Sequence, residues 1–170
     1  MWNWIKNLFS SKEKGEEEEK INKELRLSSA SDAVSSDGKL RFRFQLIGGK
    51  YNLIILTESD RLYHSVYGET TVEGNTGKCY LKIDEYNESF KILTGIFSCR
   101  YPYTVLTVED INLSDFLEKD FTKCRIMSRT CYVDSNLDIN NYHFNKKLKA
   151  VIKDLLNRYE ILTTNPTKDL

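Results

Sequence analysis

Little proline, no excess of charge and no long apolar run set the first limits on this chain of 170 residues. Two Pro and eight Gly exclude collagen-like and proline-rich architectures. No stretch of about 18 apolar residues occurs, so the sequence predicts no transmembrane helix. The charges of the 25 basic and 25 acidic side chains cancel. Because the whole chain has no net charge to attract phosphates, nucleic acid is not expected as a partner.

Sequence motifs for catalysis, cofactors and metals are also lacking. The chain has two His, and its four cysteines contain no C-x-x-C pair. Zinc ligands usually stand a few residues apart, so no metal site is predicted and the thiols are expected to be free. The glycine-containing turns match no phosphate-binding loop, and no cofactor is expected. The cysteines are Cys79, Cys99, Cys124 and Cys131.

The apolar content is high enough for one folded domain. Apolar residues make up 40% of the chain and aromatic residues 12%. This composition excludes wholesale disorder, and the length is that of a single domain with a tail.

The first ten residues carry the most distinctive apolar pattern in the chain. At helical spacing, five large apolar side chains fall on one arc. Asn3, Lys6 and Asn7 lie opposite and also interrupt any signal-peptide core, so a cytoplasmic location is predicted. Docking on another protein is the leading interpretation of this arc, with folding back over the chain's own core or lying on a membrane as alternatives. The predicted contact residues are Trp2, Trp4, Ile5, Leu8 and Phe9.

A change of composition near residue 38 marks the predicted domain boundary. An acidic segment at Glu16–Glu19 is followed by small polar residues from Ser28 to Gly38, which are typical of a linker. We therefore assign residues 1–38 to an N-terminal helical tail and linker. Residues 39–162 form the predicted β-rich domain with its C-terminal helix, and residues 163–170 a loose tail.

Alternating side chains after residue 38 predict β-strands. Apolar positions from Leu40 to Leu46 alternate with polar ones, and Gly48–Gly49 predicts a tight turn. A short helix with Ser114 as its N-cap is predicted further along the chain. About six to seven strands are expected in all. The other candidate segments are 51–57, 62–67, 79–84, 90–97, 103–108 and 123–133.

Residues 144–159 predict a long amphipathic C-terminal helix, capped by Asp138 or Asn140. The predicted fold class is α+β, an antiparallel sheet or partly open small barrel capped by this helix. Its element order is similar to that of pleckstrin-homology-like domains, a resemblance that concerns fold alone. Three lysines on the far side of the helix are a candidate contact for an anionic surface, with a solvated face as the alternative. They are Lys146, Lys149 and Lys153.

Three functional hypotheses follow from these patterns. The leading one is a non-enzymatic interaction or structural protein, whose β-rich domain is tethered to a larger assembly by the N-terminal helix. A virion or mobile-element component is one form of such a protein, and the expected partner is another protein or a second copy. The first alternative is a small module that recruits membranes or peptides through the sheet and the lysines. The second is a small enzyme using His64, although His64 and Ser65 would face opposite ways on the predicted strand.

Overall fold

An antiparallel sheet and a long C-terminal helix dominate the computed structural model, which describes residues 25–83, 90–139 and 143–164. The described part has nine strands and three helices. In chain order they are β1 (Arg26–Ser28), β2 (Ala33–Val34), β3 (Leu40–Ile47), β4 (Lys50–Thr57), α1 (Asp60–Tyr67), β5 (Thr76–Ile83), β6 (Phe90–Arg100), β7 (Tyr103–Val108), α2 (Leu113–Glu118), β8 (Phe121–Met127), β9 (Tyr132–Asn136) and α3 (Phe144–Thr164).

All strand pairs are antiparallel, and the sheet is open, in the order β1-β3-β4-β7-β6-β5-β8-β9. The short β2 also pairs with β3, beside β1. The predicted α+β class and antiparallel sheet are confirmed. The strand count differs, because the described residues form nine strands where six or seven were expected.

One face of the sheet carries the core, as the alternation from Leu40 to Leu46 predicts. The four apolar side chains that alternate from Leu40 to Leu46 are buried, and Ile47 at the end of β3 is partly exposed. The ring of Phe42 packs edge-on against Phe144 of α3, and that of Phe44 packs edge-on against Phe116 of α2. Both helices therefore cover the inner face of β3. The β3–β4 turn is made by Gly48 and Gly49, both with positive φ, as a two-residue hairpin requires.

The C-terminal helix packs against β1, β2 and β3 with the apolar arc that its sequence predicts. The helix runs to Thr164, two residues past the predicted domain end at 162. Asp138 accepts a hydrogen bond from the backbone N–H of Asn145 in its first turn, at 3.2 Å. The buried residues of the arc are Phe144, Leu148, Val151, Ile152 and Leu155.

Residues 62–67, predicted as a strand, belong instead to helix α1. Ser59 caps the helix by accepting a hydrogen bond from the Leu62 N–H at 3.3 Å, and Gly68 ends it. Leu62 and Val66, one turn apart, are buried against the sheet. The prediction failed because a short run of apolar and aromatic residues fits both the strand period of 2 and the helix period of 3.6. Here the Ser59 cap favours the helix.

The Ser-rich segment interpreted as a linker contributes β2 and the last residue of β1 to the sheet. Two of its serine hydroxyls accept hydrogen bonds from backbone N–H groups of β3. Ser29 accepts from the Phe44 N–H at 3.1 Å and Ser35 from the Leu40 N–H at 3.0 Å. Ala33 is fully buried. The two carboxylate oxygens of Asp32 accept hydrogen bonds from Arg43, one from Nε at 2.8 Å and one from Nη2 at 3.0 Å. Small polar residues thus form an edge of the sheet here.

Two smaller differences concern the segment after β7. The cap of α2 is Asn112, whose side chain accepts from the Ser114 N–H at 3.1 Å, and not Ser114 as predicted. The predicted strand 123–133 is divided into β8 and β9 by a turn, in which the Ser128 hydroxyl bonds the backbone of Cys131.

Candidate ligand-binding groove

The outer face of β6, β5 and β8 presents apolar and basic side chains side by side. Because residues paired across antiparallel strands share a face, the register decides which side chains meet. Tyr80 of β5 lies opposite Ile92 of β6 and Arg125 of β8. One step along, Lys82 lies opposite Phe90 and Lys123.

These side chains line a groove of about 640 Å³. Phe90 is 52% exposed and Ile92 57%, although both are large apolar residues on a sheet face. Isolated exposed apolar residues are ordinary, but neighbouring ones lining a groove mark an interaction surface. The lining residues are Tyr80, Lys82, Phe90, Ile92, Lys123, Arg125 and Met127.

The electrostatic feature of the groove is a pair of like charges. Lys82 and Lys123 face each other directly across β5 and β8. Like charges opposite one another destabilise a sheet, and neither ammonium takes part in an ion pair among the described residues. Among the residues that the structure describes, no carboxylate lines the groove. An anion bound between the two lysines would relieve their repulsion.

Arg125 is held in place at the β9 side of the groove. Its guanidinium binds both oxygens of Asp134, at 2.6 and 2.9 Å, and lies 4.1 Å from the centre of the Tyr132 ring. The hydrogen bond from Arg125 outweighs the opposing effect of burial and lowers the pKa of Asp134 below its ordinary value. Arg125 therefore keeps a fixed position, whereas Lys82 and Lys123 form no ion pair with any described residue.

The site residues predicted from the sequence lie elsewhere. The N-terminal arc, from Trp2 to Phe9, falls outside the described residues. On α3, Lys149 forms an ion pair with Asp120 and donates to the Lys119 carbonyl at 2.9 Å. Lys146 and Lys153 are exposed. The three lysines thus differ in their surroundings, and their role as an anionic contact stays a prediction.

His64 is exposed on α1, with its ring against that of Tyr63. The expectation that His64 and Ser65 lie on a strand is wrong, because both are in a helix. The Ser65 hydroxyl is 2.5 Å from that of Ser128. Within the described chain no group of three or more potential metal ligands occurs.

The groove is the feature that sequence reasoning missed. Alternation in β5 assigns Tyr80 and Lys82 to the polar face of a strand, but Phe90 and Lys123 join them only through the pairing of β5 with β6 and β8. A usable signal was the exposed face of β5 itself, where Lys78, Tyr80 and Lys82 alternate as cation, aromatic and cation.

Comparison of the chain with protein-family models, curated proteins and solved structures found no match. In the described ranges, no helix has the length and apolar character needed to cross a bilayer.

Proposed function

We propose that this chain is a non-enzymatic binding protein whose β6–β5–β8 groove contacts an anionic ligand with an apolar or aromatic part. The observation that carries the proposal is the Lys82–Lys123 couple, which has no ion-pair partner in the described part of the chain and lies beside Phe90 and Ile92. The described lining of this groove contains no carboxylate. Ligand sites typically combine apolar walls with a few polar groups that orient the ligand, and this groove has both.

Retention on immobilised heparin tests the anionic part of this proposal. The full chain carrying Lys82→Glu and Lys123→Glu is expected to elute at clearly lower salt than the parent protein. Fewer charge–charge contacts with heparin then remain, so less salt is needed to screen them. The matched control is Lys50→Glu with Lys147→Glu, which changes the net charge equally on exposed lysines of β4 and α3 that belong to neither candidate site. It is expected to elute close to the parent. Equal elution of the two double variants would contradict a role for the groove.

We further propose, from the sequence arc alone, that the N-terminal segment joins this binding domain to a protein assembly. Its five apolar side chains precede a charged segment, which separates them from β1. An amphipathic helix of this kind binds by placing its apolar face in a groove of a partner. The chain would then have two contact sites, one for a ligand and one for an assembly.

A further inference from the structure

We infer that the groove binds single-stranded RNA, with two bases stacked on Tyr80 and Phe90 and the phosphates held by Lys82 and Lys123. This inference rests on the proposed function of the groove and names its ligand. Its basis is that aromatic and cationic side chains from three neighbouring strands meet on one face of the sheet.

The two aromatic residues are spaced for successive bases. Tyr80 lies opposite Ile92, and Phe90 lies opposite Lys82, so Tyr80 and Phe90 are diagonal neighbours on β5 and β6. Diagonal neighbours on one face of an antiparallel pair are roughly 7–8 Å apart, within reach of rings that hold adjacent unstacked bases. A sheet face with such aromatic residues is a recurrent platform for single strands.

The cations are placed where the backbone of such a strand would run. Lys82 is next to Phe90 across one strand pair and next to Lys123 across the other. Lys78 continues the same face of β5, opposite Met127. A phosphodiester backbone supplies one negative charge per nucleotide, which matches a row of lysines better than the irregular carboxylates of an acidic peptide.

The shape of the site favours a single strand over a bilayer or a duplex. The aromatic and basic side chains line a recess of about 640 Å³. A membrane is bound by side chains that protrude into it, and a duplex hides the base faces that the rings would stack on. Neutral hydrogen-bonding side chains flank the lysines, since Thr94 lies opposite Lys78 and Asn136 opposite Lys123. They are available for the 2′-hydroxyl that distinguishes RNA from DNA.

The neutral net charge of the chain does not oppose this inference. Whole-chain balance averages over 25 basic and 25 acidic residues, whereas a bound strand meets only the local field of the groove. Asp134 of β9 is an acidic neighbour on this face, and it is bound to Arg125.

The test is fluorescence anisotropy with the full chain and a labelled ten-nucleotide RNA of mixed sequence. Parallel titrations use DNA of the same sequence, the corresponding RNA duplex and vesicles of phosphatidylserine and phosphatidylcholine. The single-stranded RNA is expected to bind most tightly. Tyr80→Ala and Phe90→Ala are each expected to weaken it by about 5- to 100-fold, the usual cost of losing one stacked base.

Two variants separate stacking from general damage. Tyr80→Phe keeps the ring and is expected to bind as the parent does. Tyr101→Ala removes an aromatic side chain that is 84% exposed in the β6–β7 turn, away from the groove, and is expected to change nothing. Lys82→Gln with Lys123→Gln is expected to reduce the slope of log affinity against log salt by about one per lysine.

The outcomes distinguish this inference from the proposed function. If the lysine variants lose RNA and heparin binding while the aromatic variants keep both, the stacking inference is overturned and the proposed function stands. Equal or tighter binding of DNA, duplex or vesicles overturns the assignment to single-stranded RNA. No binding of any probe, together with no retention on heparin, overturns both.

Discussion

Asp37 accepts a hydrogen bond from the hydroxyl of Ser135 at 2.8 Å and thereby joins two segments that are 98 residues apart. The same carboxylate accepts from the Asn136 N–H at 2.7 Å and from the Lys39 N–H at 3.1 Å. Asp37 lies in the turn between β2 and β3, whereas Ser135 and Asn136 belong to β9. The open sheet is therefore so curved that the turn beside its first edge contacts its last strand.

This bridge makes a pH-dependent contribution to stability. Burial raises the pKa of Asp37, but the hydrogen bonds from Lys39, Asn136, Ser135 and Ser35 prevail and lower it below its ordinary value. A carboxylate with a lowered folded-state pKa stabilises the fold above its unfolded-state pKa, and this contribution is lost as pH falls through the folded-state pKa. Asp37→Asn is expected to lower the free energy of unfolding at pH 7 by about 1–2 kcal/mol.

Urea unfolding at pH 7 and at stepwise lower pH measures this effect. The difference between Asp37→Asn and the parent is expected to shrink in acid, because the parent carboxylate becomes protonated as well. Glu109→Gln removes an equal charge from an exposed position and serves as the control. A difference that persists unchanged to low pH would contradict the role of the ionised carboxylate.

The packing of α3 leads to a second prediction. Leu148 and Leu155 have no exposed surface, and α3 covers β1, β2 and β3. Leu148→Asp and Leu155→Asp are each expected to cost about 3 kcal/mol or more, because an unpaired charge would be buried. Asn157→Asp adds the same charge to the exposed side of the helix and is expected to have little effect. Thermal melting of the three variants tests this packing. Melting temperatures equal to that of the parent in all three would contradict it.

The sequence predicted the inner face of the sheet better than the outer one. Core positions such as Phe42 and Leu148 repeat with the period of their own strand or helix, so local pattern suffices to find them. The groove depends on which strands pair. Lys82 and Lys123 are 41 residues apart in the sequence and meet only through the register of β5 with β8, which no local pattern specifies.

Helix α1 shows the other limit of pattern reasoning. Leu62 and Val66 are four residues apart, but the aromatic residues between and after them favour a strand by composition. Ser59 and Gly68 were the residues in the sequence that favour a helix, and in the structure they are its N-terminal and C-terminal caps. Capping residues therefore carry more information than composition for a segment of this length.

The cysteines provide a third prediction. All four are free, and the sulfurs of Cys79 and Cys124 lie 3.5 Å apart in the core beneath the groove. Burial, together with the hydrogen bond to Cys79, raises the pKa of the Cys124 thiol well above its ordinary value. The thiolate is the reactive form, so Cys124 is expected to resist a disulfide reagent such as Ellman's reagent in the folded protein. Cys79 is expected to resist it because its side chain is buried.

Counting thiols before and after unfolding tests this expectation. At most two, Cys99 and Cys131, are expected to react quickly in the native protein, because these are only partly buried. All four are expected to react in denaturant without reductant. Cys131→Ser should reduce the native count by one and leave the unfolded protein with three. Four rapid reactions in the native state, or fewer than four in the unfolded parent, would contradict the structure.

The N-terminal arc gives the last prediction. Burying its Trp, Ile, Leu and Phe side chains against a partner would remove several hundred Å² of apolar surface, at roughly 25 cal/mol per Å² before entropic costs. Deleting residues 1–10 is therefore expected to abolish association with the partner while leaving the melting temperature of the domain unchanged. Trp4→Ala with Leu8→Ala, which removes two side chains one helical turn apart, is expected to match the deletion.

Solution mass by light scattering, before and after mixing with the partner, reads out this association. Changing Lys146, Lys149 and Lys153 to Ser is expected to matter much less, because the arc binds through apolar surface. If those lysines matter more and added salt removes the binding, an anionic surface is the partner instead. If the deletion lowers the melting temperature by many degrees, residues 1–10 belong to the core of the fold, and the tether proposal is wrong.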